Sequence, residues 1–336
     1  MVLVTGGTGM LGSHLLLHLL RQNDEIKAIK RKNSDLTNIK KIFEFYNVNY
    51  EEIFDKIHWI DADIENFTEI FDAFENVDFV YHTAAAVSFN PADKTRLKNT
   101  NVVGTANIVN AALKQNVKKL CYVSTVAFLN PLFENEIVDE NFGRKPKETD
   151  SDYSKTKYSA ELEVWRGVSE GLNAVIVNPS IILGPGNWTS GSPQFFSRIN
   201  IGLKYYTDGI SGFVDVNDVA KIMILLMDGD IHSERFILNS ENLSYKDVFE
   251  QIAVSIEKKT PQKHINKNFL NTLSIIDTFI SKIILKSPKI PRSAINSAFS
   301  KTLYSSKKLN QTIDFDFLPI QTSIRNTGKL FLKSKQ

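Results

Sequence analysis

The chain has 336 residues, enough for one large domain or for a domain with a smaller lobe. Its 42% hydrophobic and 23% charged content is that of an ordinary globular protein, and 40 basic against 38 acidic residues leave a formal charge of +2, which gives no basis for a nucleic-acid partner. A single cysteine, Cys121, excludes an internal disulfide and fits a reducing compartment; it falls in a stretch read as a buried strand.

Val2-Leu3-Val4-Thr5-Gly6-Gly7-Thr8-Gly9-Met10-Leu11-Gly12 reads as strand, tight turn and the start of a helix that runs to Leu20. Gly6 lets the chain leave the strand sharply, Gly9 lets backbone approach a pyrophosphate, and Gly12 lets the helix pack closely on the strand. The start of that helix offers free N–H groups to phosphates. Glu25 to Lys30 is a second strand, followed by Lys30-Arg31-Lys32 with no acidic residue until Asp35. An acidic residue there would bond a ribose 2′-hydroxyl; a cationic fork of Lys30 and Arg31 suits a 2′-phosphate, which favours NADP(H) and leaves NAD(H) as the alternative.

Asn33 to Lys56 is polar and aromatic and read as partly helical. Ile57 to Ile60 is a third strand, after which the Asp63 carboxylate can accept from an adenine amino group and the next backbone N–H, that of Ile64, can donate to the ring. A short helix over Phe67 to Phe74 leads to a fourth strand, Val77 to His82, ending in the small residues Thr83-Ala84-Ala85-Ala86, where a flat ligand can approach. One long helix is expected over Pro91 to Leu113, then a fifth strand over Val117 to Ser124. This alternation implies an α/β protein with a parallel, doubly wound sheet whose ligands sit at the carboxyl ends of the strands.

Tyr153 and Lys157 are four apart near the start of a helix expected over Ser151 to Gly171, so they share one face. A tyrosine titrates too high for acid–base work at neutrality, and a nearby ammonium lowers it. Ser124 and Thr125 close the fifth strand at the same sheet edge, where a hydroxyl can hold a substrate oxygen against Tyr153.

Together these stretches resemble the extended short-chain dehydrogenase/reductases, the superfamily of nucleotide-sugar epimerases, dihydroflavonol reductases and 3β-hydroxysteroid dehydrogenases. Thr5 to Gly12 resembles its cofactor fingerprint, which implies cofactor contacts at Gly6, Thr8, Gly9, Met10, Leu11 and Gly12. Asp63-Ile64 resembles the adenine-binding pair, and His82-Thr83-Ala84-Ala85 the motif after the fourth strand. Asn101 to Thr105 resembles the Asn-x-x-Gly-Thr motif. Asn178 to Gly186 resembles the segment along the nicotinamide, which implies contacts from Pro179, Ser180 and Ile182. Tyr153 and Lys157 match the catalytic pair and also touch cofactor in this resemblance. Thr125 aligns with the third catalytic group, and Ser124 takes that place if the register is off by one. Phe213 to Ala220, Tyr304 to Lys307 and Phe317 to Pro319 resemble later segments of the same superfamily.

The resemblance implies a Rossmann-type sheet over 1–177 and a smaller, mostly helical substrate lobe over 178–336, with about 211–240 returning to the main body. Two departures bear on substrate: Asn178 stands where arginine is common, and Ser211 stands where many nucleotide-sugar enzymes carry an arginine for the pyrophosphate. With Phe195-Phe196 and the apolar, helically spaced stretch Phe269 to Leu285, this points to a less polar substrate. That stretch carries Asn271, Ser274, Asp277, Ser281 and Lys282, so it is no bilayer span; it is read as a core-facing helix, with a lid or membrane-surface contact as alternatives. The first strand begins at Val2 without a charged leader, which gives a cytoplasmic expectation. The histidines show no metal-ligand spacing, so no metal is expected.

The expected function is that of an NAD(P)-dependent oxidoreductase, NADPH-dependent carbonyl reduction or alcohol oxidation of a small molecule. A sugar-nucleotide epimerase or dehydratase and a non-catalytic dinucleotide sensor are the alternatives. The helices at 92–113 and 151–171 could pair across a homodimer.

Overall fold

The computed structural model describes residues 1–22, 25–46, 50–129, 131, 136–142, 146–283 and 291–335, with the side chains of 50, 51, 276 and 278–283 left out. Five strands, β1 (Val2–Thr5), β2 (Ile26–Lys30), β3 (Ile57–Asp61), β4 (Phe79–His82) and β5 (Lys119–Val123), join Ala174–Pro179 and Glu234–Leu238 in one sheet. Every pairing in it is parallel. From one edge the order is Glu234–Leu238, Ala174–Pro179, β5, β4, β1, β2, β3. The order reverses at β1, so chain leaving β1 and β4 diverges to opposite sides and opens a crevice at their carboxyl ends.

The central strands β1, β4 and Ala174–Pro179 are largely apolar because both faces are covered, and polar residues concentrate in the outer strands β2, β3 and Glu234–Leu238. Helix α1 (Met10–Leu19) packs on Val216–Asp228 over one face, with Leu15, Leu16, Val219 and Met223 in the core. Helices Phe67–Ala73, Gly104–Lys114 and Asp152–Ser169 cover the other, where Tyr122, Ile108, Ala160 and Val164 are buried together. A second, three-stranded sheet, Glu241–Ser244, Ile210–Asp215 and Ile181–Leu183, has its own core of Phe196, Phe213, Ile252, Ile324 and Phe331.

Three expectations change. The stretch Pro91 to Leu113 is not one α-helix: a 3₁₀ turn at Pro91–Asp93 and a short helix at Lys94–Leu97 lead into a π-helical turn, Lys98–Val103, before the α-helix Gly104–Lys114. The widened turn carries buried Asn101, whose amide takes two hydrogen bonds with Ala86, and Gly104 leaves room for Ile64. The Phe195-Phe196 pair belongs to the lobe's interior, Phe196 fully buried and Phe195 edge-on to Phe249, and does not face a ligand cleft. The helix expected at Phe269 begins at Lys267, where Asn266 caps it, and runs to Ile283; residues 284–285 lie outside the described residues. It packs against Arg292–Phe299, and Phe269 and Ile275 are exposed, while Ile276, Phe279, Ile280 and Ile283 of its expected apolar face lie outside the described side chains. Among the described residues no helix is long and apolar enough to cross a membrane, and no group of His, Cys, Asp or Glu could hold a metal.

Candidate active site

A cleft of about 800 Å³ opens at the carboxyl ends of β1, β4 and β5. Its inner end is the glycine turn. Gly6 has φ +72°, and a Cβ there would lie 2.6 Å from the Ala84 nitrogen; a Cβ on Gly12 would lie 2.1 Å from the Gly6 carbonyl oxygen. The turn is therefore closed on itself, with the Gly9 N–H donating to the Gly6 carbonyl at 2.9 Å. Gly9 caps α1 without a side-chain bond, and Gly9, Met10, Leu11 and Gly12 line the cleft with Thr8. The first N–H groups of a helix have no partner within it, so this cradle fits a diphosphate. Thr83 ties β4 to β1 through a hydrogen bond to the Thr5 carbonyl, and Thr83 and Ala85 form the adjoining wall; Ala84 instead backs Gly6.

At the end of β2, Lys30 is an ion pair with Asp61 of β3, opposite which it sits in register. Lys30 is thus held by the sheet, and the expected two-pronged fork reduces to Arg31, which is exposed. Asp35 accepts from the Thr37 N–H at 2.8 Å; the Thr37 hydroxyl first, and then this N–H, holds its carboxyl below the usual range and engages it at the start of helix Thr37–Phe45. Asn38 on that helix lines the cleft, a residue that sequence reasoning passed over. The Asp63 carboxylate accepts from Glu65 N–H at 3.0 Å and the Asp63 N–H donates to Glu69 at 2.8 Å, so this loop satisfies much of itself. Ile64 packs against Gly104, and the expected adenine pair does not line the cleft. Asn101 also lies away from it: its side chain clamps Ala86 and donates to Thr156 at 3.1 Å, so it shapes the wall from behind.

The opposite wall is helix Asp152–Ser169. Ser151 caps it, accepting from the Ser154 N–H at 3.1 Å, and the first turn delivers Tyr153 to the cleft. Thr125, at the end of β5, hydrogen-bonds the Tyr153 hydroxyl. Burial raises Tyr153, and the Thr125 bond opposes the rise. Ser124 lies beside Thr125 with its hydroxyl buried and without a partner. The Lys157 ammonium is buried; it donates to the Tyr122 hydroxyl and the Val123 carbonyl, each at 2.7 Å. Burial lowers Lys157 to about 7, with Glu161 pulling the other way. The expectation that Lys157 lowers Tyr153 is not met in this geometry, because the ammonium is turned to β5 and burial governs the phenol.

Asn178, in the arginine position, donates to Glu161 at 2.9 Å and to the Thr125 carbonyl at 3.1 Å. Glu161 meets its cation from elsewhere: Arg235 of Glu234–Leu238, at 3.1 Å. Pro179, Ser180 and Ile182 line the cleft, and the Ser180 hydroxyl is bonded to the Leu238 carbonyl. The outer cleft is walled by Val87, Phe89, Ile210, Tyr245 and Tyr304, with Ser211, Ser297, Ser300 and Thr302 among them.

A glycine turn at the switch point of a parallel sheet, facing a tyrosine–lysine helix, defines the class as a dinucleotide-binding α/β enzyme. Residues 2–238 match the NAD dependent epimerase/dehydratase family, and the chain belongs to it. The chain is 27% identical over 335 residues to the anthocyanidin reductase of Arabidopsis thaliana, covering 93% of each. It is 23% identical over 348 residues to the dihydroflavonol 4-reductase of the same plant, covering 99% of this chain and 88% of that one. Its fold is that of the UDP-glucose 4-epimerase of Thermus thermophilus solved with NAD, with a TM-score of 0.76 at 21% identity over 98% of each chain.

Proposed function

We propose that this chain is an NADP(H)-dependent carbonyl reductase or alcohol dehydrogenase for an uncharged, moderately apolar substrate. The observation that carries this is the lining of the cleft, whose charged side chains among the described residues are Lys157 and Asp150. A nucleotide sugar brings a diphosphate, which calls for arginine or lysine beside it. Position 211 instead offers a serine bonded to Tyr245. Lys155 and Arg292 reach only the adjoining outer hollow, among Glu148, Asp150 and Asp152.

The cofactor supplies the hydride when bound. The chain's own part is to hold one substrate oxygen and move one proton. Tyr153 and Thr125, already bonded to each other, present two hydroxyls to that oxygen. The upward shift of Tyr153 keeps its proton in place at neutral pH, the state that reduction needs, and the proton passes to the oxygen as charge builds there. Lys157 has three N–H donors and spends two on β5, leaving one that faces the cleft. Thr125 is the third catalytic group in this reading, with Ser124 beside it.

Preference for NADP(H) rests on exposed Arg31 and on Asp35 being engaged by Thr37. Residues 1–177 carry the cofactor and 178–336 the substrate, apart from the part near 211–240 that rejoins the main sheet. Val103 and Leu162, 40% and 49% exposed on neighbouring helices, are the centre we assign to a homodimer contact, which the mass in solution tests. The decisive experiment offers NADPH and a panel of uncharged aldehydes and ketones to the purified protein. Stoichiometric NADPH oxidation is expected; redox-neutral conversion of a nucleotide sugar overturns the reading.

A further inference from the structure

Lys157 stands at the end of a row of buried hydrogen bonds that the proposed chemistry leaves unused. Its ammonium donates to the Tyr122 hydroxyl at 2.7 Å and lies 4.3 Å from the centre of the same ring. The Tyr122 hydroxyl is in turn bonded to Thr105. The Thr105 hydroxyl lies 3.0 Å from His82 Nε2, and His82 Nδ1 lies 2.7 Å from the Thr5 hydroxyl. Tyr122, Thr105, His82 and Thr5 are all buried.

The row starts from a fixed donor. A lysine ammonium can only donate, so the Tyr122 oxygen must accept. One arrangement of the remaining bonds sends the Tyr122 proton to Thr105 and the Thr105 proton to His82 Nε2. That is open only to a neutral imidazole with its proton on Nδ1, pointing at Thr5. Burial drives His82 down to about 3, and the charge on Lys157 adds to that, so His82 is neutral at any working pH. A phenylalanine would fill this part of the core as well as a tyrosine. A buried tyrosine hydroxyl is costly unless bonded, and here its bonds run to the lysine on one side and three further polar groups on the other.

We propose that Tyr122 is the positioning residue for Lys157, and that Thr105 and His82 behind it keep the Tyr122 lone pair turned towards the lysine. With the Val123 carbonyl, Tyr122 fixes the ammonium so that its remaining donor meets the cleft. The inference rests on the reading of Lys157 as part of the active site. The other groups facing Lys157 are Tyr153 and Glu161 on its own helix, with Arg235 on the far side of Glu161. Removing the Tyr122 hydroxyl leaves the ammonium with one protein acceptor and lowers its affinity for the proton.

The test follows Lys157 directly, by NMR titration of the full chain carrying ¹³C-labelled lysine, the signal assigned by its loss in Lys157→Arg. Tyr122→Phe is expected to move the Lys157 midpoint down by about one pH unit, the loss of one hydrogen bond to a charged group. Thr105→Val moves it in the same direction, and Thr105→Ser restores it. The alkaline limb of NADPH-dependent turnover moves to lower pH with the titration. Should Tyr122→Phe fail to fold, the two Thr105 variants decide. A Lys157 midpoint unmoved in folded Tyr122→Phe and Thr105→Val overturns the proposal. If no carbonyl is reduced, the reductase reading fails while the titration still decides the role of Tyr122.

Discussion

The two ends of the cleft are made of different material. At the nucleotide end the chain presents backbone: the turn Gly6 to Gly12, the start of α1, and the small residues after β4. At the substrate end it presents side chains, Phe89, Ser211, Tyr245, Thr302 and Tyr304, drawn from segments that meet only in the folded protein. A site built from backbone fails where a Cβ cannot fit and hardly notices other changes. A site built from side chains changes its preference one substitution at a time.

Between the two ends stands the proton donor, and its loss is the largest effect expected. Tyr153→Phe should lower kcat by about 10²–10⁴-fold while cofactor affinity holds, read by steady-state kinetics alongside titration of NADP⁺ binding. Near-normal turnover would remove Tyr153 from the mechanism. Next is Gly12→Ala, whose Cβ would sit 2.1 Å from a backbone oxygen that cannot move aside. A cost of about 1–3 kcal/mol and the loss of thermal stabilisation by NADP⁺ are expected. A variant still stabilised by NADP⁺ would break the claim that backbone makes this end.

Arg31→Ala should weaken NADP⁺ by about 10- to 100-fold and leave NAD⁺ unchanged, the share of one charge-assisted bond to a phosphate. Equal effects on both cofactors would place the choice elsewhere, with Asn38 the next residue to test. At the substrate end Phe89, 43% exposed with its ring 6.4 Å from that of Tyr153, offers an apolar surface. Phe89→Ala is expected to raise KM by about 5-fold with cofactor affinity intact, the share of a partly buried ring. A change in cofactor affinity would show that the two ends are not separable.

The smallest effect is on pH. Burial lowers His14 to about 4 and His82 to about 3, so the unfolded chain binds more protons than the folded one below about pH 6.5. Stability from these two histidines is present in full above that pH and is lost as pH falls towards 4 and below. Asp218, raised to about 6 by burial, opposes the loss by taking up a proton in the folded state. Thermal unfolding between pH 8 and 5 should show a falling midpoint that His14→Asn moderates; a flat profile would contradict it.

The nucleotide end was legible because its signals are local. Glycine spacing, strand ends and the four-residue step from Tyr153 to Lys157 lie within single elements, and strand starts and stops fell within a few residues of those expected. What escaped depends on partners distant in sequence. Lys30 reads as a free cation until Asp61 appears opposite it across two strands. Asn101 reads as a ligand until its amide is found closed on Ala86. Arg235 cannot be known to meet Glu161 before strand Glu234–Leu238 is placed at the sheet edge. Phe195-Phe196 illustrates the converse, since hydrophobicity alone does not tell a ligand wall from a core. Tyr122 left one trace, a hydroxyl in an otherwise apolar strand, Leu120-Cys121-Tyr122-Val123, which called for a buried partner.

The seat of Glu234–Leu238 at the sheet edge has a consequence for how the protein is made. Its neighbour Ala174–Pro179 is an almost wholly apolar strand, and one edge of it is covered only by Glu234–Leu238, made much later in synthesis. Helix Val216–Asp228, which covers α1, also arrives in that interval. While the ribosome translates it, the nascent chain carries a bare hydrophobic edge and an uncovered sheet face, the features by which unfinished chains stick to one another. Synthesis of residues 180 to 234 is therefore the interval in which the unfinished sheet is most open to association.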